Sequence, residues 1–326
     1  MTRIFSRLVQ SVAVMVLVAA FAFALFQFVG DPVQQMVAQD TSQAEVDRIT
    51  EQLGLNDPLP VQFARYVGNA LKGNFGISYF HKRPVGVLLA ERLPATIELA
   101  ALSVMISILI GVPLGVYAGL HRRGVVSRAV MVVSLVGISV PTFLIGILLI
   151  YVFAVELNWL PSFGRGETVT LPWGWTTGLL TVSGLQSILL PAVTMALFQT
   201  TMVMRLVRAE MLDVMRTDYI RFARARGLDE RKVRFHHALR NTLMPVVTVI
   251  GLQLGNVIAF AIITETVFQW PGMGQLFLQG IQNVDIPVMS TYLILIAFVF
   301  VVINLCVDLL YLVIDPRLRE GGAVDV

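Results

Sequence analysis

Long apolar runs, each closed by charged or turn-forming residues, alternate along most of the chain. Six of them, near residues 8–29, 96–119, 129–156, 187–207, 243–265 and 288–314, meet the requirement of about 20 apolar residues for a membrane-crossing helix. The pattern predicts an all-α integral membrane protein with six transmembrane helices. The first run follows Arg3 and Arg7 and contains Phe21-Ala22-Phe23-Ala24, which also suits a secretory signal peptide. Its length, beyond the roughly 7–15 residues of a signal core, and the five spans that follow favour an uncleaved helix.

Two segments between the spans are longer than connections need to be. Residues 31–95 open with Ser42 and Glu45 at capping-box spacing, continue as an amphipathic run to Leu53, and then turn at Pro58 and Pro60. Phe63, Tyr66, Phe75, Tyr79 and Phe80 supply more aromatic surface than a flexible tether carries, so an ordered external loop domain is expected. Residues 205–240 alternate apolar and charged positions at helical spacing. Met211, Met215, Tyr219 and Phe222 recur at i, i+4, i+8 and i+11 and are expected to share one helix face, with Gly227 interrupting the pattern.

Composition excludes a pair of soluble domains, the ordinary reading of 326 residues. Hydrophobic residues make up 56% and charged residues 14%, and mean hydropathy is +0.76. The single cysteine, Cys306, excludes an intrachain disulfide framework and any cysteine-rich metal centre. Charge sets the orientation. With the N-terminus cytoplasmic, 17 of the 24 Lys and Arg fall on the cytoplasmic side and the remaining seven, from Arg48 to Arg165, outside. Both termini are then cytoplasmic, as is the segment 205–240, where ten Lys or Arg face five Asp or Glu. A topology signal or an attraction to anionic lipid would account for that charge. Neither accounts for the length, the apolar spacing or the glycine, which suit a docking surface for a cytoplasmic partner.

Enzyme chemistry is missing. The only lysines, Lys72, Lys82 and Lys232, follow Leu71, His81 and Arg231, so no phosphate-binding G-x-x-x-x-G-K-[ST] loop exists. H-E-x-x-H and G-x-S-x-G are also missing, and no cofactor or metal site is expected in this chain. Ionisable groups are sparse within the spans: Glu98, Glu156 and Glu265 fall at predicted helix ends, and only Asp308 lies well inside one, a turn after Asn304. A packing or interfacial role suits Asp308 better than an ion relay. Gly111, Gly115 and Gly119 repeat every four residues around Pro113, and Gly251 and Gly255 follow Pro245. Small residues at this spacing let helices pack closely.

Several stretches together resemble a known family. They are Tyr219-Ile220-Arg221-Phe222-Ala223-Arg224-Ala225-Arg226-Gly227-Leu228, then His237-Ala238-Leu239-Arg240-Asn241 and Pro245-Val246-Val247-Thr248-Val249-Ile250-Gly251. Gly30-Asp31-Pro32, Gly73-Asn74-Phe75-Gly76-Ile77-Ser78, Arg92-Leu93-Pro94-Ala95-Thr96, Trp270-Pro271-Gly272-Met273-Gly274 and Asp308-Leu309-Leu310-Tyr311 before Asp315-Pro316-Arg317 extend the agreement over nearly the whole chain. The chain resembles bacterial ABC importer permeases of the dipeptide and oligopeptide type, inner membrane components of binding-protein-dependent transport systems.

The resemblance implies the type I ABC importer fold: residues 1–30 as the N-terminal end and first helix, 31–95 as the external domain, 96–314 as the transmembrane domain and 315–326 as a cytoplasmic tail. It implies a second homologous permease subunit, two cytoplasmic P-loop ATPase subunits that bind ATP and Mg, an extracytoplasmic substrate-binding protein, and no nucleic acid. Tyr219, Arg221, Ala223, Arg224, Arg226, Gly227, Leu228 and Arg240 would form the ATPase-coupling loop. In the wider superfamily that loop reads E-A-A-x-x-x-G, nine residues, then I-x-L-P. Aligned on Gly227, Ala223 matches, Arg221 stands at the Glu and Arg240 at the Pro. The implied function is uptake, by alternating access, of di- or oligopeptides or a related solute such as glutathione or a nickel complex. The competing readings are a solitary secondary carrier or channel, which would need coupling charge within the spans, and a structural membrane scaffold.

Overall fold

A computed structural model describes residues 2–28, 42–52 and 56–314. It divides the chain into two compact units, residues 1–96 with 271–302 and residues 97–270 with 303–326. Gly30-Asp31-Pro32, Leu53, Asp315-Pro316-Arg317 and the Asp308 side chain lie outside what is described.

The first unit contains α1 (Thr2–Phe28), α2 (Gln43–Gln52), α3 (Leu59–Leu71) and the beginning of α4 (Val85–Leu120). α2 starts directly after Ser42, whose carbonyl accepts from Glu45 N at 3.0 Å. Pro58 caps α3 and Pro60 occupies its first turn, where a missing N–H costs nothing. Phe63 and Tyr66 of α3 meet Phe23 of α1 at ring separations of 5.6 and 5.8 Å. Burial pushes the Tyr66 phenol above the ordinary tyrosine range, and a hydrogen bond with Ser290 partly offsets it.

The run Gly73 to Ser78 forms a compact turn. Gly73 and Gly76 hold φ of +75° and +82°, values glycine adopts without steric cost, and Gly76 O accepts from Val85 N. The turn is fastened by Asp285, 1% exposed, whose carboxylate accepts from Ser78 Oγ, Tyr79 N and Phe80 N. Asp285 just precedes α12 (Ile286–Ile314), so the loop before α4 is tied to the start of the last helix within this unit. Val85, Leu88 and Leu89 pack against Met273 and Leu276 of α11 (Met273–Gln282) and Val288 and Tyr292 of α12.

The second unit holds the rest of α4, then α5 (Val125–Ser139), α6 (Thr142–Leu149) with a π-helical continuation over Ile150–Glu156, and α7 (Val182–Val214). A short hairpin, β1 (Val169–Thr170) with β2 (Thr176–Thr177), pairs Val169 with Thr177. α8 (Asp218–Ala225), the turn α9 (Glu230–Lys232), a π-helical stretch Val233–Ala238 and α10 (Leu239–Val267) follow. Thr181 caps α7 by accepting from Gly184 N at 3.0 Å.

Among the described residues, five helices are long and apolar enough to cross a membrane: Ser6–Leu25, Val85–Leu120, Val182–Val214, Glu230–Val267 and Ile286–Val307. The predicted span 129–156 differs, being divided at Val140 and Pro141 into pieces that are each short. Pro141 has no N–H to continue the ladder, and its ψ of +136° turns the chain out of helix. α4 also begins well before the predicted residue 96. Glu98 is therefore in a helix interior rather than at a helix end.

Candidate functional site

The charged segment 205–240 folds as helix, turn and helix. α7 runs on to Val214, where Thr217 N and Thr217 Oγ1 both donate to the Val214 carbonyl and close the helix. α8 then restarts at Asp218, so the helical phase counted through Met211, Met215, Tyr219 and Phe222 is broken between the second and third positions. Tyr219 and Phe222 therefore do not share the face of Met211, contrary to the expectation from spacing. Met211 is fully buried, whereas Tyr219 is 49% and Phe222 64% exposed. The buried face of α8 is Ile220 and Ala223, set in one apolar cluster with Val203, Val207, Met211, Val233, Ala238 and Val246. α8 is thus anchored by two small apolar contacts and turns its rings and guanidinium groups outward.

The turn after α8 has a specific backbone pattern. Leu228 N donates to Ala223 O and Gly227 N to Arg224 O, the paired bonds of a Schellman C-cap with glycine at its left-handed position. Gly227 has φ +73°, and a Cβ there would meet nothing within 4 Å. The position calls for a left-handed backbone, which glycine adopts without cost, and the space beside it is open. Asp229 caps the next turn by accepting from Arg231 N at 3.1 Å.

Side chains tie the two limbs together. Glu230 receives Arg224 at 2.7 Å and Arg234 at 2.9 Å, and these bonds hold its carboxylate below the ordinary glutamate range. Tyr219 Oη lies 2.6 Å from His237 Nδ1, and the Arg226 guanidinium stands 5.7 Å from the Phe222 ring centroid. Arg221 pairs with Asp218 at 3.0 Å. Such exposed pairs contribute about 0–1 kcal/mol each, so orientation is their main effect. Among the described residues, Arg226, Arg231, Lys232 and Arg240 have no carboxylate partner, which leaves a basic, aromatic outer face beside Leu228, itself 38% exposed.

The glycine repeat faces α7. A Cβ at Gly111 would lie 3.0 Å from Thr200 O, at Gly115 2.6 Å from Met204 O, and at Gly119 2.9 Å from Met211 Cβ. Gly251 approaches Val307, whose Cγ2 would stand 2.3 Å from an added Cβ, and Gly255 is buried in α10.

One cluster is not foreshadowed by the sequence. Glu98, 6% exposed, accepts from Arg165 Nη2 at 2.7 Å and from Trp175 Nε1 at 3.1 Å. Arg165, 9% exposed, also donates to Thr176 Oγ1 and Thr176 O, with its guanidinium 6.0 Å from the Trp270 ring centroid. Gly166 and Gly184 bring the loop hard against the start of α7: a Cβ at Gly166 would stand 2.6 Å from Ser183 O. The available signals were a carboxylate at the edge of an apolar run and the lone cation of the loop between two spans. Their 67-residue separation hid the pairing.

Comparison with known proteins gives two matching families. The binding-protein-dependent transport system inner membrane component matches residues 111–320, and the N-terminal membrane component of such systems matches residues 1–100. The permease protein y4tP of Sinorhizobium fredii, named for peptide ABC transport, is 41% identical over 317 residues, covering 97% of this chain and 98% of its own. The dipeptide transport system permease protein DppB of Alkalihalophilus pseudofirmus is 35% identical over 326 residues, covering 96% and 98%. The glutathione transport system permease protein GsiC of Escherichia coli is 34% identical over 317 residues, covering 97% and 98%. Among solved structures, an inward-facing MetNI methionine ABC transporter chain matches at TM-score 0.57 and 19% identity, covering 70% of this chain and 96% of that chain. At that identity the likeness is one of fold.

Proposed function

This chain belongs to the family of binding-protein-dependent transport system inner membrane components, and from that premise we propose that it forms one half of a peptide pathway driven by partner ATPases. α8 and its glycine turn are the docking element. The observation that carries this reading is the division of α8 into a buried face, Ile220 and Ala223, and an exposed face, Tyr219 and Phe222, with Arg226 just past its end lacking a carboxylate partner among the described residues. A helix fixed to the transmembrane core on one side and offered to a partner on the other can carry a displacement between them.

In this reading residues 31–95 form the external domain, residues 96–314 the transmembrane domain with the divided segment 125–156 as its sixth traversal, and both termini are cytoplasmic. ATP and Mg are bound by the two partner ATPases, and catalysis is theirs. A second permease completes the pathway and an extracytoplasmic binding protein delivers the solute. Nucleotide can drive the cycle only by binding one conformation more tightly than the other. Peptides are the proposed solute because the relatives are named for peptide, dipeptide and glutathione transport, and glutathione is itself a tripeptide.

Two substitutions at one position test the coupling. Gly227→Asn tolerates a left-handed backbone, so it should leave assembly and uptake near wild type. Gly227→Arg fills the open space beside the turn and should abolish ATP-driven uptake while membrane insertion persists. Purification of the tagged chain in mild detergent should recover P-loop ATPases and a second permease, and Gly227→Arg should lose the ATPases. Uptake at the wild-type rate in Gly227→Arg would refute the docking role, and a chain isolated alone even after crosslinking would refute the importer reading.

A further inference from the structure

Amide side chains sit at mid-length in two apolar helices of the second unit. Gln199 is near the centre of α7 (Val182–Val214) and Gln253 near the centre of α10 (Leu239–Val267). Both open, with Ser107 of α4, onto one cavity of about 20 Å³, whose walls are otherwise apolar and include Phe198, Met202 and Val249. That volume holds about one water.

These groups have unused hydrogen-bonding capacity. Among the described residues the side-chain amide of Gln199 has no hydrogen-bond partner. Gln253 accepts at Oε1 from Asn256 Nδ2 at 3.0 Å, which leaves its own N–H groups free. Ser107 donates to Val104 O at 2.8 Å, which leaves its hydroxyl oxygen able to accept. An unsatisfied amide at the depth of the hydrocarbon costs several kcal/mol, so apolar side chains of similar size would serve packing better. Polar side chains persist at such depth where they meet water, a partner or a passing solute. The cavity carries no ionisable group, so it offers neutral donors and acceptors only. A peptide bond presents one of each, and an amide side chain can pair with both.

We propose that Gln199 and Gln253 line the translocation pathway and hydrogen-bond the main-chain amides of a passing peptide. This inference rests on the permease reading above. It makes transport indifferent to peptide side chains at this depth, because the contacted groups recur at every residue. In the present conformation the cavity admits water and not peptide, so passage requires α4, α7 and α10 to part.

The test uses the assembled transporter with its partner subunits. In a Cys306→Ser background, Gln199→Cys and Gln253→Cys are treated with a charged, water-soluble thiosulfonate during turnover, beside Leu252→Cys, an exposed apolar position on α10. Both pathway positions should react at least about tenfold faster than position 252, as expected when one faces water and the other lipid. Equal rates would overturn the proposal. In parallel, cells are fed a protease digest of isotope-labelled protein, and accumulated peptides are counted by mass spectrometry. Gln199→Leu and Gln253→Leu should each reduce accumulation about tenfold, the effect of one neutral hydrogen bond, across peptides of varied sequence and with ATPase activity retained. Unchanged accumulation would overturn this proposal alone. A wild-type transporter that accumulates no peptide would overturn the permease reading for peptides, and this proposal with it.

Discussion

Replacing Gly115 by alanine tests the contact between α4 and α7 on which the second unit depends. The added Cβ would stand 2.6 Å from the Met204 carbonyl oxygen and 2.7 and 2.9 Å from Val207 Cβ and Cγ1. Favourable contacts between such atoms lie at about 3.5–4.0 Å, so the helices must separate by roughly 1 Å at that point. Neither neighbour can swing aside, because Met204 O belongs to the backbone of a continuous helix and Val207 is fully buried. Overpacking of this kind costs about 1–3 kcal/mol. Alanine's better helix propensity returns up to about 1 kcal/mol, which Gly68→Ala controls for. Gly68 lies in α3 with nothing within 4 Å of its added Cβ. The measurement is the thermal midpoint in detergent, followed by loss of the monodisperse gel-filtration peak. Gly115→Ala should melt roughly 3–8 °C below Gly68→Ala, taking a few degrees per kcal/mol for a chain of this size. A midpoint equal to or above that of Gly68→Ala would show that the two helices are not held at this distance.

Further substitutions address the buried clusters and the exposed face of α8. Glu98→Ala leaves the Arg165 guanidinium buried without its carboxylate, a change worth about 3–5 kcal/mol, so the detergent-solubilised chain should melt much lower. Glu98→Ala with Arg165→Met should recover part of that loss, and a single variant as stable as wild type would refute the pairing. Ile220→Asp puts a carboxylate into the apolar cluster beneath α8 and should deplete the chain from membranes. Phe222→Ala, with its ring exposed, should leave stability within about 0.5 kcal/mol and weaken only the recovery of ATPase partners. Equal effects of the two on chain abundance would mean that α8 is oriented otherwise.

The long apolar runs were legible because a membrane span must satisfy its backbone within one stretch of sequence, and length alone then reveals it. Pro141 was not legible as a break. Pro113, Pro191 and Pro245 sit in helices that continue, and only local geometry separates those cases. Gly227 could be read as a turn because its neighbours are charged and helical. The face of α8 could not, since a helix that stops at Val214 and restarts at Asp218 resets the phase of every later residue. The glycine ridge was visible, but its partner on α7 was not. Glu98 with Arg165, and Ser78 with Asp285, are pairs 67 and 207 residues apart, and no local spacing encodes them.

The two proposed sites share one packed seam. Ser107, Gly111, Gly115 and Gly119 follow one another every four residues along α4, and Gln199, Val203, Val207 and Met211 do the same along α7. The glycines contact the latter row: Gly111 meets Val203, Gly115 meets Val207 and Gly119 meets Met211. Val203, Val207 and Met211 also belong to the cluster that buries Ile220 and Ala223 of α8. Ser107 and Gln199 stand at the other end of the same rows and line the amide cavity. From Met211 to Gln199 is about 18 Å of helix at 1.5 Å per residue. A seam too close at Gly115 and Gly119 to accept even an added Cβ, with barely more room at Gly111, has little slack to absorb movement. On the proposed docking role, a displacement of α8 would shift α7 against α4 along its length or separate them, and separation is what the proposed peptide contact at the cavity requires.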